Sequence, residues 1–260
     1  MNSETRKEYI LKKLEENHSV KIQELSRQLK VTRETIRKDL YLLEKEGIIK
    51  KIHGGAIMEI PNQETDYEKR KSEFQDAKEA IARRASAYIE EGDTIYLDYG
   101  TTTLALAREI VKLKNLTIVT NSLPIVNLLL SNETLELIIP GGTVRNNEGS
   151  LYGPFATNNI KDIYVTLGFF GCSGIDTKAG ITSHHMGENI VSKEMIDHSQ
   201  TSIMLVDHSK FGNVAFNKTA SFDEIDIIIT DEMRNPEEHQ KLIQQGVELV
   251  YTEESEEAES

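Results

Sequence analysis

Residues 32–47 read Thr32-Arg33-Glu34-Thr35-Ile36-Arg37-Lys38-Asp39-Leu40-Tyr41-Leu42-Leu43-Glu44-Lys45-Glu46-Gly47. Ile36, Leu40 and Leu43 recur at spacings of four and three, the stripe of a half-buried helix. The Thr32 hydroxyl is placed to cap the free first-turn amides, and Gly47 to end the helix. Two shorter stripes precede it: Ile10, Leu11 and Leu14 within Arg6–Asn17, then Ile22, Leu25 and Leu29 within Lys21–Leu29. A β-like run follows, Ile48-Ile49-Lys50-Lys51-Ile52, with turn residues His53-Gly54-Gly55 before Ala56-Ile57. Two short helices, a tight junction, a third helix and a β-ribbon predict a winged helix-turn-helix over residues 1–58.

In such a unit the third helix enters a DNA major groove, and its N-terminal face supplies the contacts. Thr32, Arg33, Glu34, Thr35, Arg37 and Lys38 lie off the apolar stripe and are the candidates. Arg can pair with guanine O6 and N7, while Thr and Lys mostly position the phosphate backbone. Lys50, Lys51 and His53 on the wing would reach phosphate or the adjacent minor groove. By pattern alone, a small helical interaction module with a solvated charged face fits equally well.

The chain has 260 residues, 30 Lys plus Arg against 43 Asp plus Glu, a net charge of −13, one Cys and no Trp. That acidity argues against a nucleic-acid partner until it is divided by segment. Residues 1–58 hold 13 basic and nine acidic side chains, so the head is +4 and the remainder −17. Five of the remaining acidic charges fall in residues 253–260, expected to be a disordered acidic tail. One cysteine, Cys172, excludes an intrachain disulfide and a multi-thiolate zinc site. No apolar run approaches a membrane span and the first residues lack a signal-peptide core, so a cytoplasmic protein is expected.

Residues 59–76, polar with Pro61, read as a linker to a second domain over 77–252. Strands are predicted at Thr94–Leu97, Leu116–Val119, Leu135–Ile139, Tyr164–Leu167, Ile203–Val206 and Ile225–Ile229. Helices are predicted at Leu104–Leu113, Leu123–Leu130, Ile190–His198 and Pro236–Gln245, after an opening helix carrying Ile81, Ala85 and Ile89. The alternation implies a larger α/β domain with a mainly parallel sheet covered on both faces.

Four polar clusters end predicted strands: Asp98-Tyr99-Gly100-Thr101-Thr102-Thr103, Thr120-Asn121-Ser122, Gly141-Gly142-Thr143-Val144-Arg145 and Asp207-His208-Ser209-Lys210. The first sits between strand and helix, where free amides, hydroxyls and the helix dipole suit a phosphate monoester. A generic Gly-Thr helix cap is the alternative for that cluster taken alone. In a parallel sheet, ligands gather at the carboxyl ends of strands, so four such clusters can converge on one crevice.

The run Thr35-Ile36-Arg37-Lys38-Asp39-Leu40, the pair Leu43-Glu44 with Gly47, and Lys51-Ile52-His53-Gly54-Gly55-Ala56 resemble the DNA-binding signature of the DeoR family of bacterial transcription regulators. Lys38 and Lys51 stand where that family usually has Arg. The second domain also resembles the family's sensor domain, in Leu97-Asp98-x-Gly100-Thr101-Thr102, Thr120-Asn121-Ser122, Gly141-Gly142-x-x-Arg145, Gly180-Ile181-Thr182 and Asp207-x-Ser209-Lys210-Phe211. The resemblance implies a fold shared with ribose-5-phosphate isomerase and coenzyme A transferases. It implies a repressor that binds double-stranded operator DNA as a homo-oligomer and controls carbohydrate genes in response to a phosphorylated sugar. Thr101, Thr102 and Thr103 after Gly100 are then assigned to the phosphate, and Asp98, Asn121 and Arg145 to sugar hydroxyls or phosphate. Lys210 is assigned as a further cation, and no cofactor or metal is expected.

A sugar-phosphate isomerase with a DNA-binding appendage is the rival class, and a purely architectural DNA binder is another. An isomerase of this fold needs a carboxylate acid and base. No carboxylate lies between Asp162 and Asp176, and the lysine of the related isomerases is absent at Ala179-Gly180-Ile181-Thr182. Glu188 alone matches an isomerase glutamate. Cys172 with His184 and His185 has no recognised ligand spacing.

Overall fold

The computed structural model describes residues 3–17, 19–45, 49–52, 54–58, 64–232 and 235–252. The chain divides into two compact units, residues 1–63 and 64–260. In the first unit α1 (Ser3–Asn17), β1 (Ser19–Lys21), α2 (Ile22–Leu29) and α3 (Arg33–Lys45) precede the hairpin of β2 (Ile49–Ile52) and β3 (Gly55–Met58). The antiparallel sheet runs in the order β1-β3-β2. Ile10, Leu14, Leu25, Ile36, Leu40, Leu43 and Ile49 are buried together, so all three helical stripes face one core. Lys30 takes a left-handed conformation at the end of α2, and the Ser26 hydroxyl donates to Val31 O at 2.6 Å. The Thr32 hydroxyl then accepts from Thr35 N at 3.1 Å, the N-terminal cap expected for α3. Gly47 and His53 lie outside the described residues.

The hairpin explains the paired glycines. Gly54 turns with φ +85°, and a Cβ on Gly55 would stand 2.0 Å from Val20 O on β1. Only a residue without a side chain lets β1 and β3 pair at Lys21↔Gly55.

The second unit opens with α4 (Tyr67–Ser72) and α5 (Gln75–Ser86). It continues through β4 (Thr94–Leu97), α6 (Thr101–Ile110), β5 (Thr117–Thr120), α7 (Leu123–Leu129), β6 (Glu136–Ile138) and the ribbon β7 (Thr143–Arg145) and β8 (Ser150–Tyr152). Next come α8 (Pro154–Ile160), β9 (Val165–Phe170), β10 (Gly174–Asp176), β11 (Gly180–Ser183), α9 (Met186–Asp197) and β12 (Ser199–Val206). The unit ends with β13 (Asn217–Ala220), β14 (Ile227–Thr230), α10 (Pro236–Gln244) and β15 (Glu248–Tyr251).

Seven strands form one parallel sheet in the order β15-β14-β12-β9-β4-β5-β6. Alternate residues feed two cores: Ile95 and Leu97 of β4 join Ile81, Leu106, Phe169 and Ile203, while Tyr96 joins Phe170, Val191, Met195 and Met204. Burial on both faces is what a parallel sheet requires. All six predicted strands are present, and β15 adds a seventh at the edge. β10, β11 and β13 form a separate antiparallel sheet.

The segment read as a linker is partly folded into the second unit. Within 64–76, Tyr67–Ser72 is helical, capped by the Asp66 carboxylate accepting from Glu68 N at 3.0 Å, and Tyr67 is buried. Residues 59–63 and the tail 253–260 lie outside the described residues.

Candidate functional site

On α3, Thr32, Arg33, Glu34, Arg37 and Lys38 are exposed and Thr35 is half-buried. Five of the six helical candidates therefore share the solvent face. Arg37 pairs with Glu34 at 2.9 Å, one turn away. Such an exposed pair is weak. Tyr41, one turn beyond Arg37, is 56% exposed, and the Lys51 ammonium lies 5.0 Å from its ring centroid. Sequence reasoning passed over Tyr41, although its position at i+4 from Arg37 marks the same face.

Two residues of the signature serve the scaffold. Asp39 is buried and takes two bonds from Arg6 on α1, 2.7 and 3.0 Å long, and one from the Ser3 hydroxyl. Glu44 accepts from Lys51 N at 2.8 Å and pairs with the Lys51 ammonium at 2.9 Å, fastening the wing to α3. Lys51 is thus a bracing residue as well as a candidate phosphate contact. Lys50 sits on β2 opposite Ile57; its side chain, like the whole of His53, lies outside the described residues.

In the second unit the chain order runs outward from β4 in one direction and from β9 in the other, so the sheet's switch point lies between these two strands. The crevice expected there is bounded by the loops after β4 and β9. Gly100 stands at the head of α6 with φ 130° and ψ 173°, a conformation open essentially to glycine alone. The conformation turns the chain from strand to helix, and no side chain caps the first-turn amides. Thr101 is half-buried, whereas Thr102 and Thr103 are buried, Thr103 with its hydroxyl donating to Gly100 O at 3.1 Å. Thr101 carries the hydroxyl nearest solvent.

Asp98 and Asn121 are brought together, but inside the protein. The Tyr96 hydroxyl lies 3.1 Å from Asp98 Oδ1 and 3.1 Å from Asn121 Oδ1, and Ser192 Oγ donates to Asp98 at 3.0 Å. Burial pushes the Asp98 carboxyl up to about 7, against the pull of the Ser192, Tyr99 and Tyr96 donors. Both side chains are buried, and these internal bonds tie the end of β4 to the end of β5 and to α9.

Arg145, on β7, donates to Glu188 at 2.5 Å and to Glu64, and Ser150 Oγ donates to Glu188. Burial pushes Glu188 up to about 7 despite these donors. The Tyr99 phenol after β4 lies within electrostatic reach of Glu188, Asp98, Glu64 and Arg145, so the Arg145 cluster adjoins the β4 loop. His184 lies within reach of Glu64, Arg70, Lys210 and Arg145. The first, third and fourth polar clusters therefore surround one region. Lys78, also nearby, is buried with its ammonium donating to Glu73 O at 2.8 Å, and burial lowers it to about 8. Glu64 and Arg70 escaped sequence reasoning because they precede the sheet in a stretch that reads as polar linker, and Lys78 because a lysine at the start of the opening helix reads as solvated.

Burial pushes the Cys172 thiol up to about 12, the opposite of a metal-binding thiolate. Ligand atoms of His208, Asp231 and Glu232 lie within 4.8 Å of one another. Yet the Asp231 carboxylate already accepts from His208 N at 2.8 Å and meets His208 Nδ1 at 2.6 Å, bonds that occupy the atoms a cation would need. No helix among the described residues is long and apolar enough to cross a membrane.

A winged helix-turn-helix with Arg33, Arg37 and Lys38 exposed on its third helix, followed by a parallel α/β unit, is the build of a two-unit DNA-binding transcriptional regulator. Residues 6–61 match the model of the DeoR-like helix-turn-helix domain, and residues 73–232 that of the DeoR C-terminal sensor domain. The chain belongs to the DeoR family of transcriptional regulators. It is 32% identical to the HTH-type transcriptional regulator GolR of Listeria innocua over 95% of this chain and 98% of that one. It is also 32% identical to the HTH-type transcriptional repressor GlcR of Bacillus subtilis, over 98% and 99%. The same identity relates it to the glycerol-3-phosphate regulon repressor of Escherichia coli, over 85% and 88%. Among solved structures, ribose 5-phosphate isomerase A of Methanocaldococcus jannaschii is similar at 17% identity and a TM-score of 0.40. That match covers 53% of this chain and about half, 54%, of the isomerase.

Proposed function

We propose that the protein is a cytoplasmic repressor of carbohydrate genes whose operator affinity is set by a phosphorylated sugar or polyol in the crevice of its second unit. The observation that carries this reading is Gly100. Its backbone turns β4 into α6 beside the sheet's switch point and leaves the first-turn amides of α6 without a side-chain cap, with the half-buried Thr101 next to them. Amides at a helix N-terminus favour a dianionic phosphoryl group. Arg145 on β7 and Lys210 after β12 both lie within electrostatic reach of His184, which supports a cationic contribution from these two segments. The protein binds its operator as a homo-oligomer, since repeated half-sites need recognition helices at a fixed spacing. An effector shifts the equilibrium only by binding one arrangement better than the other.

A thermal-shift screen of the full chain against sugar monophosphates and polyol phosphates tests the reading. At least one compound should raise the Tm of the second unit, because a ligand of the native state stabilises it. If no phosphorylated compound does so while operator binding persists, the sensor role falls.

One observation favours a second reading. Two buried carboxyls, Asp98 and Glu188, are both pushed up to about 7, as an acid–base pair in an isomerase would be. Both are already held by internal donors, and a sensor needs no turnover. Conversion of a phosphosugar by the purified chain, followed by NMR, would reverse the preference.

A further inference from the structure

We infer that Arg70 and Arg145 form an anion subsite for the effector's phosphoryl group, and that Glu64 fills this subsite in the ligand-free chain. This inference rests on the reading of the second unit as a phospho-metabolite sensor. Arg70 and Glu64 lie outside the motifs that carry the family resemblance.

Five ionisable side chains meet here. Arg70 donates to Glu148 at 2.5 Å, and Arg145 donates to Glu188 at 2.5 Å. Each guanidinium thus has its own carboxylate, and the Glu148 and Glu188 side chains are 0% exposed. Glu64 is the fifth member. Its carboxylate bonds Arg145 Nη2, lies 3.5 Å from Arg145 Nη1, and stands 3.4 Å from Arg70 Nη1. It therefore bridges two guanidiniums that each already hold an enclosed carboxyl group.

Three features single out Glu64 as a stand-in for a ligand. First, charge: three carboxyl groups crowd two guanidiniums, and Glu64 is the one that touches both. Second, position: Glu64 is 15% exposed, where Glu148 and Glu188 are fully enclosed, so it forms the layer a solute reaches. Third, geometry: an oxyanion between two guanidinium forks is how a phosphoryl group is held bidentately. A phosphoryl dianion offers three oxygens and twice the charge, so it competes with a single carboxylate for the same donors.

Displacement would also carry a signal. Glu64 is the first residue of the second unit, covalently continuous with the DNA-reading unit that ends at residue 63. Beyond it, Asp66 caps α4 and Arg70 lies in that helix. Expelling the Glu64 side chain frees the start of this strap while Arg70 stays with the ligand. The effector thereby changes the tether of the DNA-reading unit.

The test uses the full chain and its Glu64→Gln variant, titrated calorimetrically with inorganic phosphate and with a panel of sugar monophosphates. Gln keeps the size of Glu64 and leaves the pairs Arg70–Glu148 and Arg145–Glu188 in place. The variant should bind phosphate at least about tenfold more tightly than the parent, because the competitor is gone. In the unmodified chain, saturating sugar phosphate should also speed amide exchange over residues 64–67. If the parent binds a sugar phosphate but Glu64→Gln binds it no better and exchange at 64–67 is unchanged, the subsite is wrong and the sensor reading stands. If the variant does not fold, the exchange measurement on the parent decides alone. If neither protein binds any phosphorylated compound, the sensor reading fails and the subsite with it.

Discussion

Arg6 and Asp39, thirty-three residues apart, are joined by two parallel bonds, Nε to Oδ2 at 2.7 Å and Nη2 to Oδ1 at 3.0 Å. The pair locks α1 against α3 and so sets the angle at which the recognition helix leaves the core. Asp39 lies beside Lys38 in the signature yet is turned away from any DNA. Asp39→Asn should lower the Tm of the first unit by about 5 °C or more in calorimetry, with the second unit's transition in place. An unchanged first transition would contradict the bracing role.

Arg37 and Tyr41 should separate DNA reading from folding. Both are exposed on α3, and neither helps to form the core. Arg37→Ala should weaken operator binding by about 10-fold or more in a gel shift, the worth of one good base or phosphate contact. Tyr41→Ala should weaken it less while loosening Lys51, whose ammonium it steadies. Circular dichroism should be unaltered in both. Full binding by Arg37→Ala would remove α3 from the interface.

The hairpin glycines should differ sharply. At Gly54 a Cβ meets nothing within 4 Å, but φ is +85°, so Gly54→Ala should cost about 1–2 kcal/mol. At Gly55 the added Cβ would stand 2.0 Å from Val20 O, so Gly55→Ala must part β1 from β3. Loss of the first unit's cooperative transition is expected for Gly55→Ala only. Equal, mild effects would show that the β1–β3 pairing matters little.

Asp98 should give the second unit an inverted carboxylate response to pH. Its carboxyl is pushed from 3.8 up to about 7, chiefly by burial. A carboxyl with a higher pKa folded than unfolded takes up a proton on folding, so stability falls as pH rises. The contribution is greatest below about 4 and fades through to about 7. Tm of the second unit, compared between the parent and Asp98→Asn over this window, should decline more steeply in the parent. Parallel curves would show that Asp98 titrates normally.

Much of this was legible in the sequence, and the reasons are physical. The spacing of Ile36, Leu40 and Leu43 marks a helix because burial is periodic, and Thr32 marks its start because its hydroxyl replaces a missing backbone bond. Strands such as Thr94–Leu97 stand out because both faces are buried. β15, Glu248–Tyr251, was missed because it is a short edge strand with an acidic first residue. Helix α4 was missed because Glu68, Lys69, Arg70 and Lys71 give it a polar surface, and only Tyr67 reaches the core. The roles of Asp39, Asp98 and Arg145 depend on partners far along the chain: Arg6, Ser192 and Glu64. Residue type announces that such a group needs a partner, but only the fold says which one. Asp98 and Thr103 were expected from residue type to face a ligand; the internal bonds that bury them, from Ser192 to Asp98 and from Thr103 to Gly100 O, are set by the fold and not by the local sequence.

The most direct measurement is operator affinity of the full chain with and without phosphorylated effectors. Duplexes selected from a random pool by the protein itself supply the DNA, and fluorescence anisotropy reads the Kd. At least one sugar monophosphate or polyol phosphate should change that Kd by about 5- to 150-fold, the usual range of coupling between two sites. Lys210→Ala should bind the same duplex but lose most of this response. A chain that selects no sequence, or whose Kd no phosphorylated metabolite moves, would contradict the account of a DNA-binding unit governed by a phosphate-sensing crevice.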